Sequence, residues 1–401
     1  MSKDLCLNSW IAIVSQKLPH LSRPQAKVLA MWSFGIGIMQ STGLTTVAVF
    51  LAQLLGEKEN TVRQRLREWY RDADEKKGTQ RRQIDVTKCF APLLAWVVDK
   101  WHSTESQLAL GMDATTLGSR FTVLAISVLI RGCAVPVAWK VVTANKPGAW
   151  KPYWLELFDH LKHSIPPEMT VIVTADRGLY ADWLYHKIVE LGWHPFLRIN
   201  LTGQFRLLDS HDWIALADTV PFVGSRWCGV VQCFKTNPLT CTLLARHDKG
   251  YTDPWLILTD FLPQTASTTW YGMRCWIECG FKDTKRGGLH WHFTKMTDPK
   301  RAERHWLAFA LGVGAAIALA TFWLVSVGSE ADATPPNSNY DGLPPDHIAH
   351  SRPPAKKPTR FLSFFRRGFI QIIVALLLGQ PLPIGSFFPE SWRSPTLFSS
   401  A

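Results

Sequence analysis

The sequence predicts an α/β protein built on a mixed β-sheet flanked by helices. Three consecutive β-rich runs, at residues 108–117, 121–132 and 133–142, are separated only by short polar or glycine turns, which favours three antiparallel strands. Helical and strand patterns then alternate, as they do in α/β folds. With 401 residues, the chain is long enough for one large core with small appendages, or for two or three domains.

The alternating part begins with a helix predicted over residues 150–164, where apolar side chains recur at helical spacing. A short buried-type strand follows at 170–176, then a helix at 182–191 and a fifth strand at 194–199. The order β-β-β-α-β-α-β is that of a ribonuclease-H-like core, in which the first and fourth strands are neighbours.

Residues 1–88 are predicted to form a helical DNA-binding domain, with a helix-turn-helix layout over about 48–70. There, the turn glycine Gly56 precedes a second helix with an apolar face. The other face would present a polar set to DNA, consisting of Arg63, Gln64, Arg67 and Arg71. A basic helical hairpin that only packs is the alternative, because glycine turns between helices are common.

After the fifth strand, residues 200–265 predict a β-rich insertion, and the catalytic region as a whole is expected over 89–328. Its last part, 307–328, carries no charge and is long enough to span a membrane, but its small residues and its place in the domain favour a core helix. A Pro-rich linker is predicted at 329–360. Residues 361–401 predict a C-terminal helical segment and tail, which would pack on the body or on a second subunit.

Composition restricts the class of partner and the compartment. The net charge of +12 indicates a polyanionic partner, most commonly nucleic acid, with a basic membrane-surface protein as the alternative. The eight cysteines show neither a CxxC pair nor zinc-site spacing, and the first residues do not resemble a signal peptide. We therefore expect reduced thiols and a cytoplasmic location.

A helix predicted over residues 270–290 combines acidic and basic side chains. At about 100° per residue, a helix would place four of them on one face: Tyr271, Arg274, Glu278 and Lys285. Lys282 would lie near the middle of that face, and the opposite face is apolar. An acid framed by cations suits a metal site that handles phosphates. A solvated amphipathic helix at the surface is the alternative.

Two aspartates add to this acid. Asp113 lies in the first predicted strand and Asp176 at the carboxyl end of the fourth, so the predicted topology brings them close together. A single aspartate at a strand end is usually a turn former or a helix cap. Desolvated carboxylates that converge need a cation, however, and three acids meeting through one topology favour a metal site.

These residues resemble a known family. The pattern Tyr271-x2-Arg274-x3-Glu278-x6-Lys285 resembles the Tyr-Arg-Glu-Lys signature of a large family of bacterial insertion-sequence transposases, which share the DDE ribonuclease-H-like catalytic domain. The segments MDATTLGSRF and VTADRGLY are similar to the family's first and second aspartate segments. The resemblance covers about residues 90–325.

The resemblance implies that Asp113, Asp176 and Glu278 hold two Mg²⁺ ions, for which Mn²⁺ could substitute. It also implies that Tyr271, Arg274 and Lys285 hold the DNA backbone near the cut transposon end, with Lys282 as a further DNA contact. In relatives, a flipped base rests on a tryptophan of the insertion, and Trp255 is the candidate here.

The function so implied is that of a cut-and-paste transposase that binds terminal inverted repeats and target DNA as a homodimer. It would act at the bacterial nucleoid and without a membrane. A decayed or domesticated copy that only binds DNA, as a repressor, is the first alternative. The second is a membrane protein with spans at 307–328 and 361–378, which Arg366 and Arg367 disfavour.

Overall fold

The structure is a computed structural model. It describes residues 4–76, 82–102, 106–144, 150–307, 315–331, 362–389 and 392. Most of the predicted linker, part of the uncharged run at 307–328 and most of the predicted C-terminal tail after residue 389 lie outside these ranges.

The helices of the described residues lie before, between and after the strands. They are α1 Asp4–Lys17, α2 Arg23–Met39, α3 Leu44–Leu55, α4 Glu59–Trp69, α5 Phe90–Asp99, α6 Lys151–Leu161, α7 Asp182–Glu190, α8 Cys275–Thr284, α9 Pro299–Leu307, α10 Ala315–Ala331 and α11 Phe364–Leu377.

The strands form one mixed sheet. They are β1 Gln107–Leu117, β2 Phe121–Ile130, β3 Cys133–Thr143, β4 Thr170–Ala175, β5 His194–Arg198, β6 Gln204–Leu207, β7 Ile214–Ala215, β8 Arg226–Cys233, β9 Leu239–Arg246 and β10 Trp255–Thr259. Their order across the sheet is β3-β2-β1-β4-β5-β10-β9-β8-β6-β7.

The first five strands have the predicted ribonuclease-H-like arrangement. Strand β1 pairs antiparallel with β2 and parallel with β4, and β4 pairs parallel with β5. The β1–β4 register pairs Met112 with Ala175, so Asp113 and Asp176 follow directly at neighbouring positions. Parallel pairing at this register therefore brings the two aspartates to the same edge of the sheet.

Burial explains why nearly all residues of β2 are apolar. Every one of its residues is buried, because β2 lies between β1 and β3 and helices cover the sheet. Helix α8 packs against β3 closely enough that a Cβ on Gly280 would approach the Cβ of Ala134 at 2.8 Å. Glycine at position 280 thus permits the close approach of the helix that carries Glu278.

The predicted β-rich insertion extends the main sheet. Strand β10 pairs antiparallel with β5, and β9, β8, β6 and β7 follow outward. The sequence predicted three strands here and missed β6 and β7, because four and two residues are too short to show an alternating pattern.

The N-terminal helices include the expected helix-turn-helix layout. Gly56 ends α3 with a φ of 66°, and its N–H donates to the Ala52 carbonyl. Helix α4 then buries Val62, Leu66 and Trp69. Helix α2 also packs on α10, so the N-terminal helices and the sheet region share one hydrophobic core. The division into domains stays a prediction.

Helix α10 lies in the core, as expected for the uncharged run. Its residues from Ala318 to Val325 are buried, and the Trp323 ring stacks on Trp10 at 5.1 Å. Among the described residues, no single helix is long and apolar enough to cross a membrane, and α2 with α3 reach that length only as a pair bent by 102°.

We predict that Gly328→Ala will destabilise the fold. Helices α10 and α11 touch through Gly328 and Gly368, and a Cβ on Gly328 would overlap the carbonyl of Phe364. The helices would have to separate, so we expect a loss of about 1–3 kcal/mol in unfolding free energy, measured by urea denaturation. Gly178→Ala is the control, because a Cβ there meets nothing within 4 Å. Equal stability of the two variants would contradict the close helix contact.

Candidate active site

The segment that carries the predicted signature is less regular than the sequence indicated. A single helix over 270–290 is the wrong description. A 3₁₀ helix spans Thr268–Arg274, and α8 then ends at Thr284. The chain turns there because the N–H groups of Gly287 and Leu289 return to the carbonyls of Lys282 and Asp283. Lys285 therefore lies beyond the helix and not on its face.

The apolar side of α8 follows the prediction. Its buried residues include Trp276, Ile277 and Phe281, and Met273 in the preceding turn is also buried. This face holds the helix on the sheet and leaves the Glu278 side chain half exposed at the sheet edge. This packing is what any amphipathic helix shows, so it is the contacts of Glu278 described below that bear on a site.

The three predicted acids meet at one guanidinium group. Arg274 Nη2 lies 3.0 Å from Asp113 Oδ2 and 3.9 Å from Asp176 Oδ2, and Nη1 donates to Glu278 Oε1. Only 5% of the Arg274 side chain is exposed. The carboxylates thus come from β1, from the residue after β4, and from α8, and one buried cation contacts all three.

Burial has a marked effect on Asp113. Desolvation raises its pKa to about 6, against the opposing effect of Arg274, and the charges of Glu278 and Asp176 raise it further. The N–H of Ala114 also donates to Asp113 Oδ1, at 2.7 Å. Ionisation of Asp113 is therefore unfavourable in the absence of a further cation.

A second arginine of the site was missed by the sequence analysis. Arg198, at the end of β5, is 4% exposed, and its Nη1 lies 3.9 Å from Asp176 Oδ1. Its Nη2 donates to the Pro254 carbonyl at 3.3 Å. From sequence, Arg198 could have been identified only by its position at the end of the fifth strand. That position matters because β5 pairs with β4, and the pairing is visible only in the folded sheet.

Two aromatic candidates lie beside the acids. Tyr271 is buried, and its hydroxyl donates to Asp176 Oδ1 at 3.5 Å. Trp255 is half-buried at the start of β10 and meets the Tyr251 and Tyr271 rings edge-on, at 5.2 and 5.1 Å. The structure thus connects Trp255 to the acids through Tyr271.

The two predicted lysines border a cavity. Lys285 Nζ donates to Thr115 Oγ1 at 2.6 Å and to the Thr116 carbonyl at 2.7 Å, and burial, followed by the charge of Arg286, lowers its pKa. Lys282 is exposed. Both line a cavity of about 590 Å³ that also includes Asp113 and Glu278. Asp113 and Glu278 therefore open onto a basic cleft.

The predicted DNA-reading residues of α4 lie elsewhere. Arg63 and Arg67 are exposed, as expected, whereas Gln64 Nε2 donates to Glu68 Oε1 at 2.7 Å. Arg65, on the same helix, pairs with both carboxylate oxygens of Glu57, at 2.7 and 3.2 Å.

The donor set of the acid site has the right chemistry for a divalent cation. Mg²⁺ prefers carboxylate oxygens, and here three carboxylates already surround a positive charge. Arg274 lies between them, and within the described ranges no group of three or more His, Cys, Asp or Glu side chains has metal-site spacing. Binding of metal would require Arg274 to move away from the carboxylates.

Comparison with known proteins gives limited likeness. No family model and no curated relative matches the chain. Among solved structures, the crystal structure of human ENDOV has 16% identity and a TM-score of 0.24, over 58% of this chain and 96% of that one. A cryo-EM structure of the piggyBac transposase synaptic complex with hairpin DNA has 11% identity and a TM-score of 0.31, over 89% of this chain and 88% of that one. With TM-scores this low, neither likeness bears on activity.

We predict that Asp113→Asn will stabilise the protein at neutral pH. Because the pKa of Asp113 is raised from 3.8 to about 6, the folded state binds its proton more tightly than the unfolded state. Wild-type stability should therefore fall as pH rises between these values, and the asparagine variant avoids that loss. We expect a gain of about 1–2 kcal/mol above pH 6 that vanishes near pH 4, measured by urea denaturation across pH. Destabilisation at every pH would show that the ion pair with Arg274 outweighs desolvation.

Proposed function

We propose that the protein is a cut-and-paste DDE transposase of an insertion sequence. It would bind terminal inverted repeats, cut phosphodiester bonds at the element ends and transfer the 3′-OH ends to target DNA. The observation that carries this proposal is the convergence of Asp113, Asp176 and Glu278 at one edge of a ribonuclease-H-like sheet, beside a basic cleft. The sequence signature favours a transposase over other nucleases.

The three carboxylates would hold two Mg²⁺ ions, or Mn²⁺ in their place. The bound metal would lower the pKa of the attacking water or 3′-OH and stabilise the leaving oxygen. The raised pKa of Asp113 supports this role, because a divalent cation would compensate a carboxylate that is costly to ionise where it lies.

The cations around the acids would position the DNA. A guanidinium can bind two phosphate oxygens in a forked contact, so Arg274 is suited to a phosphate once it leaves the carboxylates. Lys285 and Lys282 would add positive charge along the cleft. The Tyr271 hydroxyl would orient Asp176, and Trp255, in edge contact with Tyr271, remains the candidate for a flipped base.

Sequence recognition would belong to α4. Its exposed arginines and the α3–turn–α4 geometry support insertion into the major groove of a terminal repeat. Two inverted repeats per element call for two copies of the protein, so we propose a homodimer on DNA, in the bacterial nucleoid.

One observation favours a second candidate, a DNA-binding repressor without catalysis. Arg274 occupies the space between the acids, and in the described parts of the chain no group of His, Cys, Asp or Glu side chains has metal-site spacing. Such a protein would keep the DNA contacts of α4 and never release Arg274 from the carboxylates.

We predict that Glu278→Gln will abolish cutting and preserve binding. The substrate is a duplex that carries the inverted repeats flanking the gene, incubated with the full chain and Mg²⁺. Wild-type protein should cut it, EDTA should prevent this, and Mn²⁺ should restore it. Loss of one metal-binding carboxylate should slow cutting by about a hundredfold or more, measured on gels, while binding stays within about twofold.

Glu190→Gln is the matched control, because Glu190 ends α7 and pairs only with Lys187 among the contacts described. It should cut as the wild type does. Equal cutting by Glu278→Gln would contradict the site, and a wild-type protein that binds the repeats but cuts with neither metal would establish the repressor.

We predict that Arg63→Ala/Arg67→Ala will weaken binding to the repeats by about tenfold and lower the salt slope by about two. Both guanidinium groups are exposed on α4. Arg65→Ala is the control, since Arg65 is held by Glu57. Salt titrations by fluorescence anisotropy distinguish the variants, and equal slopes for both would exclude α4 as the DNA-reading helix.

A further inference from the structure

A group of aromatic rings beside the acid cleft has no role in the proposed catalysis. The 3₁₀ turn Trp291–Phe293 follows the α8 turn, and Trp291 is fully buried against Trp306, at 5.5 Å. Trp291 thereby fixes the backbone of this turn. We call the rings of His290, His292 and Phe293 the aromatic ledge, in which the two histidines are partly buried and Phe293 is exposed.

The rings of the ledge lie against one another. His292 is 4.0 Å from Phe293, and His290 is nearly parallel to Phe293, with an interplanar angle of 19° at 5.8 Å. Phe293 is nonetheless 72% exposed, the most exposed phenylalanine among the described residues. A large aromatic ring that is held by neighbouring rings and open to solvent is available to stack on a flat ligand.

The ledge borders the acid cleft. His292 lines the same cavity as Asp113 and Glu278. The His290 N–H donates to the Lys285 carbonyl at 2.8 Å, and the Lys285 ammonium is bonded to Thr115, so backbone and side-chain contacts hold the ledge in place relative to β1. These contacts fix the position of the ledge relative to the acid site.

The charges around the ledge indicate what it binds. Lys282, Lys285 and Arg286 line the cavity beside His292, and Lys295 is exposed two residues after Phe293. Aromatic faces next to cations are the combination that binds unpaired nucleotides, because bases stack on the rings and phosphates contact the cations. A paired duplex offers its bases only at its ends.

We infer that the aromatic ledge stacks an unpaired nucleobase of the DNA next to the scissile phosphate, with Phe293 as its outer face. This rests on the proposed function for the identity of the substrate. The ledge is separate from Trp255, which lies in β10 with its ring edge-on to Tyr251 and Tyr271. It would hold a strand end or a melted end open beside the acids.

The test compares two probes in EDTA, so that no cutting intervenes. Both are the same duplex with a single-stranded extension; one extension carries bases, including 2-aminopurine, and the other is abasic. The phosphates are identical, so any preference reports stacking. Wild-type protein should bind the base-bearing probe about tenfold more tightly, by anisotropy, and quench the 2-aminopurine fluorescence.

Phe293→Ala should abolish the preference and the quenching while the salt slope stays unchanged, because no phosphate contact is lost. Phe293→Trp should keep both. Phe222→Ala is the control, as Phe222 is 68% exposed but lies in the turn before β8. Circular dichroism spectra would confirm that each variant is folded.

Three results would overturn the inference: no preference in the wild-type protein, a preference retained by Phe293→Ala, or an altered sedimentation coefficient of Phe293→Ala without altered binding, which would make the ledge a protein interface. The proposed function is tested separately by cutting. A protein that cuts but shows no Phe293-dependent preference retains its function without the ledge. A protein that never cuts but shows the preference has the ledge without catalysis.

Discussion

The contact of Arg274 with three carboxylates is the interaction on which the site depends. Three acids at one sheet edge would repel each other, and burial makes the charge on Asp113 costly. A guanidinium that is 5% exposed opposes both effects, although desolvation still leaves the pKa of Asp113 raised to about 6. Arg198, also buried, adds a second positive charge beside Asp176. Loss of Arg274 would leave three neighbouring carboxylates without the cation that contacts them all.

The arrangement of these charges depends on how the surrounding helices and strands pack. Gly280 allows α8 to approach Ala134, and the β1–β4 register places the aspartates side by side. The turn after α8 is held from several directions: Thr42 donates to the Leu289 carbonyl, and Arg366 donates to the Gly287 carbonyl. Parts of the chain far apart in sequence therefore fix the lysine, the aromatic ledge and Glu278 in one arrangement.

In the form that the structure shows, the acids contact arginines. If the site binds metal and DNA, the free energy to separate Arg274 from the acids must come from those ligands. A phosphate would then replace the carboxylates as the partner of Arg274, and a metal ion would replace Arg274 as the partner of the carboxylates. Binding of DNA and release of the acids would then be coupled, so that metal would bind where DNA is present.

Sequence periodicity determined the order of strands and helices in the core, because alternation and helical spacing are local properties. It also put Asp113 in the first strand, Asp176 at the end of the fourth strand and Glu278 on a helix. It could not determine the end of α8 at Thr284, since that end depends on returning hydrogen bonds at a glycine turn. Nor could it find Arg198 or the extension of the sheet by β10, which depend on pairing across the sheet. Arg274 was expected to contact the DNA phosphate, and only the tertiary structure shows that it lies among the carboxylates. A buried charge requires an opposite charge nearby, and the fold determines which residues provide it.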